Sequence, residues 1–210
     1  MKTKEEIVAN WLPRYTKRSL NDFGEYILLT NFNKYVELFA DKFNVPVLGR
    51  DANMTSAHAE GITIINFGMG SPNAAIIMDL LGAIQPKACL FLGKCGGIDR
   101  KNKLGDLILP IAAIRGEGTS NDYYPPEVPA LPAFMLQRAV SSATRDMPAV
   151  IGPERYILPT AVYGSMMRGL KSISLKRVPC VWIWKRLRCL LPVFTIIFLL
   201  EHYFWYPTSR

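Results

Sequence analysis

Apolar positions at helical spacing occupy residues 4–12 and 33–43, the second stretch placing Tyr35, Leu38, Phe39 and Phe43 on one side. Asn31 or Asn33 is the expected cap of that second helix. From Ile62 to Phe67 the pattern changes to an apolar strand, which passes through a glycine turn into an apolar helix starting near Pro72. This is the signature of a βα unit. Lys87–Gly93 reads as a second strand followed by the turn CGGIDRKNKLGD, and DLILPIAAI supplies one or two more. RGEGTSNDYYPPEVPALP is a long polar, proline-rich loop, and Ala133–Arg145 is helical. Strands that read as fully buried, alternating with helices, predict an α/β fold whose central sheet is covered on both faces. The loops at the strand ends are then the expected site.

The length of 210 residues predicts one domain. A formal charge of +8 raises nucleic acid or an anionic membrane as partners, but the excess is confined to one region. Residues 151–210 hold nine Lys or Arg against two acidic residues, whereas residues 1–150 hold sixteen against fifteen. The longest apolar run of the tail, Leu190 to Leu200, contains Pro192 and falls short of the roughly 20 residues that span a bilayer. Neither nucleic acid nor a membrane is therefore expected as a partner. Cysteines at 89, 95, 180 and 189 lack the density of a disulfide scaffold and the paired spacing of a zinc site, which predicts free thiols, no metal and a reducing, cytoplasmic location. The opening MKTKEEIVANW is charged and carries no apolar secretory segment.

Small residues stand where a strand hands over to a helix in GMGSP, Gly68, Met69, Gly70, Ser71 and Pro72. Close backbone approach and N–H groups at a helix start suit a phosphate, although neither the dinucleotide fingerprint nor the Walker lysine pattern is present. GKCGGID, Gly93–Asp99, is either a tight turn or a turn whose Lys94 meets a ligand phosphate. Cys95 reads as buried filling rather than a nucleophile, and His58 as a surface or core histidine. In RGEGTSNDYYPP, tyrosines such as Tyr123 would stack on a planar base while Arg115, Glu117, Ser120 and Asn121 supply hydrogen-bonding groups; the alternative is a solvated surface loop. Arg50, in VLGRDANM, either binds phosphate or sits on the surface.

Taken in order, VLGRDANM, INFGMGSPNAA, FLGKCGGI, GDLILP and AIRGEGTSNDYYPP resemble the nucleoside phosphorylase and hydrolase superfamily, and within it the short bacterial AMP nucleosidases. The resemblance covers residues 1 to about 146. It implies a nucleoside phosphorylase-like central mixed sheet flanked by helices, and hydrolysis of the N-glycosidic bond of AMP to adenine and ribose 5-phosphate without a cofactor. It also implies a homo-oligomer, hexameric in the intact family, with AMP or another purine nucleotide as ligand. Gly49, Arg50, Gly68 to Pro72 and Lys94 would line the ribose-phosphate side, and the Arg115 to Tyr124 loop would meet the purine. Related phosphorylases place an arginine for inorganic phosphate near Phe91; its absence favours water as acceptor. A related purine nucleoside phosphorylase and a noncatalytic purine or ribose-phosphate binder are the alternatives.

The family chemistry also calls for a glutamate after a methionine to hold the ribose hydroxyls and an aspartic acid after a serine to protonate adenine. Neither pair occurs in the 210 residues. Joining the third base of each codon to the first two of the next makes Trp182 and Ile183 spell an aspartate codon and Trp184 and Lys185 a glutamate codon. A methionine codon is permitted between them, and similar blocks are permitted from Arg155 and from Leu200. The expectation is therefore a partial domain over residues 1–148, a fold incomplete after about residue 148, and an out-of-frame tail over 149–210. On that expectation the catalytic pair is lost and activity is near background. A membrane-surface or partner-binding tail is the rival reading.

Overall fold

The computed structural model describes residues 3–95, 107–114, 118–125, 127–128, 130–145, 158–163 and 194–200. Helix α1, Lys4–Thr16, opens on a reciprocal cap: the Thr3 hydroxyl accepts from the Glu6 N–H, and the Glu6 carboxylate accepts from the Thr3 N–H. Val8, Leu12 and Thr16, successively one turn apart, are buried in it. Strand β1, Tyr26–Thr30, leads into α2, Asn33–Phe43, whose N-cap is Phe32 with no side-chain cap bond. Asn33 stands inside the first turn and Asn31 outside it, so neither caps the helix. The buried positions of α2 are Val36 and Ala40, and Leu38, expected on the inner side, is half exposed. Its spacing from Val36 turns it onto the outer face.

Strands β2, Thr55–Ala59, and β3, Ile62–Asn66, form a hairpin through Glu60 and Gly61, both at positive φ, 49° and 75°. Two such residues make the primed turn that matches strand twist. Gly24 approaches this turn so closely that a Cβ there would lie 2.1 Å from the Gly61 carbonyl oxygen. Helix α3, Ser71–Leu81, then strand β4, Ala88–Cys95, complete the βα order. Strand β5 spans Leu107–Ile114 and helix α4 Phe134–Arg145; strands β6, Leu158–Tyr163, and β7, Phe194–Leu200, complete the sheet.

The seven strands lie in the order β2-β3-β1-β4-β7-β5-β6. β1 is parallel to β3 and β4, and β4 to β7, whereas β2 runs antiparallel to β3 and β5 to β7. Alternation along the strands sorts the core into two layers. Ile27, Leu29, Ile65, Phe67, Cys89 and Phe91 join Leu12 of α1 and Ile77 and Leu81 of α3 on one face. Ala57 and Ile64 meet Val36 and Ala40 of α2 on the other.

The expectation of a sheet incomplete after about residue 148 is corrected here. β6 pairs with β5 over Leu158–Tyr163, and β7 pairs with β4 along its whole length, from Cys89 opposite Phe194 to Cys95 opposite Leu200. The physical reason lies in FTIIFLL: six apolar residues and a threonine, rich in β-branched and aromatic types, carry the propensity of a strand. No helix among the described residues is long and apolar enough to cross a membrane.

Candidate functional site

Because β1, β3 and β4 are parallel and in register, with Thr30 opposite both Asn66 and Leu92, their carboxyl ends share one edge of the sheet. Three segments leave that edge together: Asn31–Phe32 into α2, Phe67–Gly70 into α3, and Gly93–Cys95 at the end of β4. Antiparallel β2 starts there, with Thr55 opposite Asn66. The segment leading into β2 carries Gly49 and Arg50, and Leu48 bridges to Ser56. Crevices outside the carboxyl ends of parallel strands are where open α/β sheets take ligands.

Backbone shape at this edge demands glycine. Gly49 has φ +75°, and a Cβ would fall 2.3 Å from the Met54 carbonyl oxygen. Gly68 and Gly70 have φ of 80° and 105°, a region that side chains avoid. Gly70 is the N-cap of α3 without any side-chain cap bond, Pro72 sits in its first turn, and Ser71 is buried. The first N–H groups of a helix have no intrahelical acceptor, which makes this turn suited to an anion. Two asparagines shape it: the Gly68 N–H donates to Asn66 Oδ1 at 2.9 Å, and Asn73 Nδ2 donates to the Met69 carbonyl at 2.9 Å. The Met69 side chain is 66% exposed, and its Sδ accepts from Asn31 Nδ2 at 3.4 Å.

Two cations meet α2 and its cap beside this edge. The Lys94 ammonium lies 4.5 Å from the Phe32 ring centroid and 5.5 Å from that of Tyr35, so two aromatic faces on the α2 side hold it at the strand edge. Arg50 reaches Glu37 of α2 at 3.6 Å, with both side chains well exposed. An ion pair so open to water contributes little and yields readily to a stronger anion. Gly49, Arg50, Gly68, Met69, Gly70, Ser71, Pro72 and Lys94 are thus gathered along one edge.

The base-side candidates sit elsewhere. Ser120 is buried in a short 3-10 turn, Gly118–Asp122, and its carbonyl accepts from the N–H groups of Tyr123 and Tyr124. Tyr123 donates its hydroxyl proton to Asp79 Oδ2 of α3 at 2.8 Å. Asp79 is eight residues beyond Ser71, which is ~12 Å along the helix axis. Asn121 is exposed on the same turn. Arg115 and Glu117, like the turn Gly96–Asp99, lie outside the described residues.

Cys89 and Cys95 are buried, and burial pushes the Cys89 thiol far above its ordinary range. Both fill core space, as expected of Cys95. His58 is half-buried in β2, its Nδ1 2.9 Å from the Thr63 hydroxyl across the hairpin. Among the described residues no group of three His, Cys, Asp or Glu is placed to hold a metal. Thr55, Asn66, Phe32 and Tyr35 stand at the edge without a role expected from the sequence, and Asn31 and Asn33 stand there beyond the capping expected of them. The available signal was their place directly after, or facing, the apolar runs YILLT and ITII.

The profile of the phosphorylase superfamily matches residues 25–167. The AMP nucleosidase of Escherichia coli K12 is 25% identical over 171 residues, covering 64% of this chain and 35% of that protein. The uridine phosphorylase of Treponema pallidum is 29% identical over 132 residues, 60% of this chain and 51% of that one. The chain thus spans about a third of the length of the curated AMP nucleosidases it matches, which share 35% of their length with it. A solved AMP nucleosidase structure from Bacteroides thetaiotaomicron VPI-5482 superposes with a TM-score of 0.80 and 46% identity, covering 95% of this chain and 88% of that one. The expected end of the likeness near residue 146, and the out-of-frame tail inferred from it, are corrected by that coverage. The physical basis is the same as for the sheet: segments beyond residue 146 fill strand positions next to β4 and β5.

Proposed function

The chain belongs to the phosphorylase superfamily, and within it we propose a purine-nucleotide site whose reaction is hydrolysis of the N-glycosidic bond of AMP, giving adenine and ribose 5-phosphate. The observation that carries this reading is the 46% identity to a solved AMP nucleosidase across 95% of the chain. The gathered edge of glycine turns, Lys94 and Arg50 supports it. The 5′-phosphate is assigned to the turn Gly68–Pro72 with Lys94 and Arg50, at the ribose-phosphate side with Gly49. The base extends away from that turn, toward the segment that carries Arg115, Glu117, Ser120, Asn121 and Tyr123.

Water is the proposed acceptor. Phe91, near which the resemblance would put the phosphate-binding arginine of related phosphorylases, is buried and packs against Phe67 with ring centroids 5.6 Å apart. The reaction passes through an oxocarbenium-like ribosyl centre, and adenine leaves as a proton reaches it. Phosphate contacts remote from the breaking bond supply binding energy that orients the sugar. A missing general acid costs about 100- to 10,000-fold in rate. With no aspartate directly after a serine and no glutamate directly after a methionine in these 210 residues, we expect AMP binding to be retained and turnover to be slow. That same observation favours a second reading, a noncatalytic AMP binder.

Cytoplasmic placement and homo-oligomeric assembly are part of the same proposal, the first supported by the buried Cys89 thiol and the second by the family. The test is incubation of the purified chain with AMP, with adenine and ribose 5-phosphate followed by chromatography and AMP binding by calorimetry. Equal amounts of the two products, independent of added inorganic phosphate, support hydrolysis. Binding without product supports the second reading, and absence of AMP binding rejects both.

A further inference from the structure

The turn proposed to take the phosphate is held from one side by a short relay of polar side chains. The Asn33 side-chain oxygen accepts two hydrogen bonds, one from the Thr55 hydroxyl at 2.8 Å and one from Asn66 Nδ2. Asn66 in turn presents Oδ1 to the Gly68 N–H at 2.9 Å. The order matters because a carboxamide has one accepting and one donating end. With its nitrogen committed to Asn33, Asn66 must point its oxygen at Gly68. Without Asn33 the amide is free to reverse and set N–H against N–H, which would push the Gly68 turn away.

The same stretch of chain reaches the other phosphate-side groups. Asn31 Nδ2 contacts Met69 Sδ, Phe32 and Tyr35 face the Lys94 ammonium, and Glu37 pairs with Arg50. Asn33 sits in the middle of this stretch and fastens it to β2 and β3. We infer that Asn33, acting through Asn66 with Thr55 as its second donor, is a positioning residue. It sets the conformation of the Gly68–Gly70 turn and thereby the discrimination of a nucleoside monophosphate from the nucleoside. The ligand part of this inference rests on the AMP site proposed above; the conformational part does not.

Two readouts test it on the full chain. Calorimetric titration with AMP and with adenosine is expected to show Asn33→Leu weakening AMP about tenfold while leaving adenosine within about twofold, the effect of one or two lost hydrogen bonds in series. Thr55→Val, which keeps shape and loses the donor, should weaken AMP about threefold, and Thr55→Ser should restore it. Amide hydrogen exchange at Gly68 should be about tenfold faster in Asn33→Leu and in Asn66→Ala, and close to wild type in Thr55→Ser. Equal losses for AMP and adenosine, or unchanged Gly68 exchange in Asn33→Leu, would overturn the inference. Should Asn33→Leu fail to fold, the Thr55 pair decides by the same criteria. If the wild-type chain binds no AMP, the proposed function fails alone, and Gly68 exchange still decides the positioning role.

Discussion

The two halves of the sheet are built by different means. β2, β3, β1 and β4 come from one continuous stretch, residues 26–95, with α1 and α3 on one face and α2 on the other. β7, β5 and β6 are brought together from three separate stretches, and β7 joins β4 from the far end of the chain. Local connections form at a lower entropic cost than closures across long loops. The first half should therefore be the more stable and the earlier to form, and every residue proposed for the phosphate side belongs to it. Binding of the phosphate should depend on the first half, and assembly of the complete sheet on the second.

The largest effect is expected at Leu29, fully buried in the interior strand β1 on the face that α1 and α3 cover. Leu29→Ala should cost about 2–5 kcal/mol by urea unfolding, from lost burial and the cavity left behind. It should abolish AMP binding at temperatures where the wild type still binds. A change in the second half should behave differently. Ile197→Pro places a residue that cannot donate to the ladder in the middle of β7, opposite Leu92, at a cost of about 1–3 kcal/mol. Exchange should speed up in β5, β6 and β7 while the amides of β1 and β3 keep their protection. Uniform acceleration across all seven strands would break the comparison.

Smaller changes sharpen it. Thr3→Ala removes the hydroxyl half of the α1 cap and should lower stability by about 1 kcal/mol, leaving AMP affinity unchanged. Tyr123→Phe loses the bond to Asp79 and should cost about 0.5–1.5 kcal/mol, with faster proteolysis at Gly118–Asp122. The smallest effect is one of pH. Folding holds the Cys89 thiol protonated by burial, so its folded pKa is raised above the unfolded one. Stability linked to this group is then complete below the ordinary thiol range and falls as pH rises through it, because only the unfolded chain releases the proton. The loss should be roughly 0.5–1 kcal/mol by pH 9, and Cys89→Ala should remove that part of the slope.

Much of the first half is legible in the residues themselves. ITIINFGMGSPNAAIIMDLL announces strand, turn and helix by its isoleucine-rich start, its glycines and its proline, and β3 and α3 fall where that pattern puts them. β1 is harder to see because YILLT is only five residues long, and β2, TSAHA, carries almost no hydrophobic signal. Its identity comes from pairing with β3 across the Glu60–Gly61 turn, a tertiary cause. FTIIFLL has the composition of a buried strand, yet its neighbours carry no periodicity that would announce a sheet. Its partner β4 lies too far away in sequence for a local pattern to reveal. At the site, φ values that require glycine are readable from GMG, whereas the relay through Thr55, Asn33 and Asn66 exists only once three elements meet.

The most direct test of the central claim is titration of the chain with AMP and with adenosine, repeated on Lys94→Met. The phosphate-side assignment predicts that AMP binds at least about tenfold tighter than adenosine, the contribution of charge-assisted contacts, and that Lys94→Met removes most of this preference. Equal affinities for the two ligands, or a preference that survives Lys94→Met intact, would contradict it.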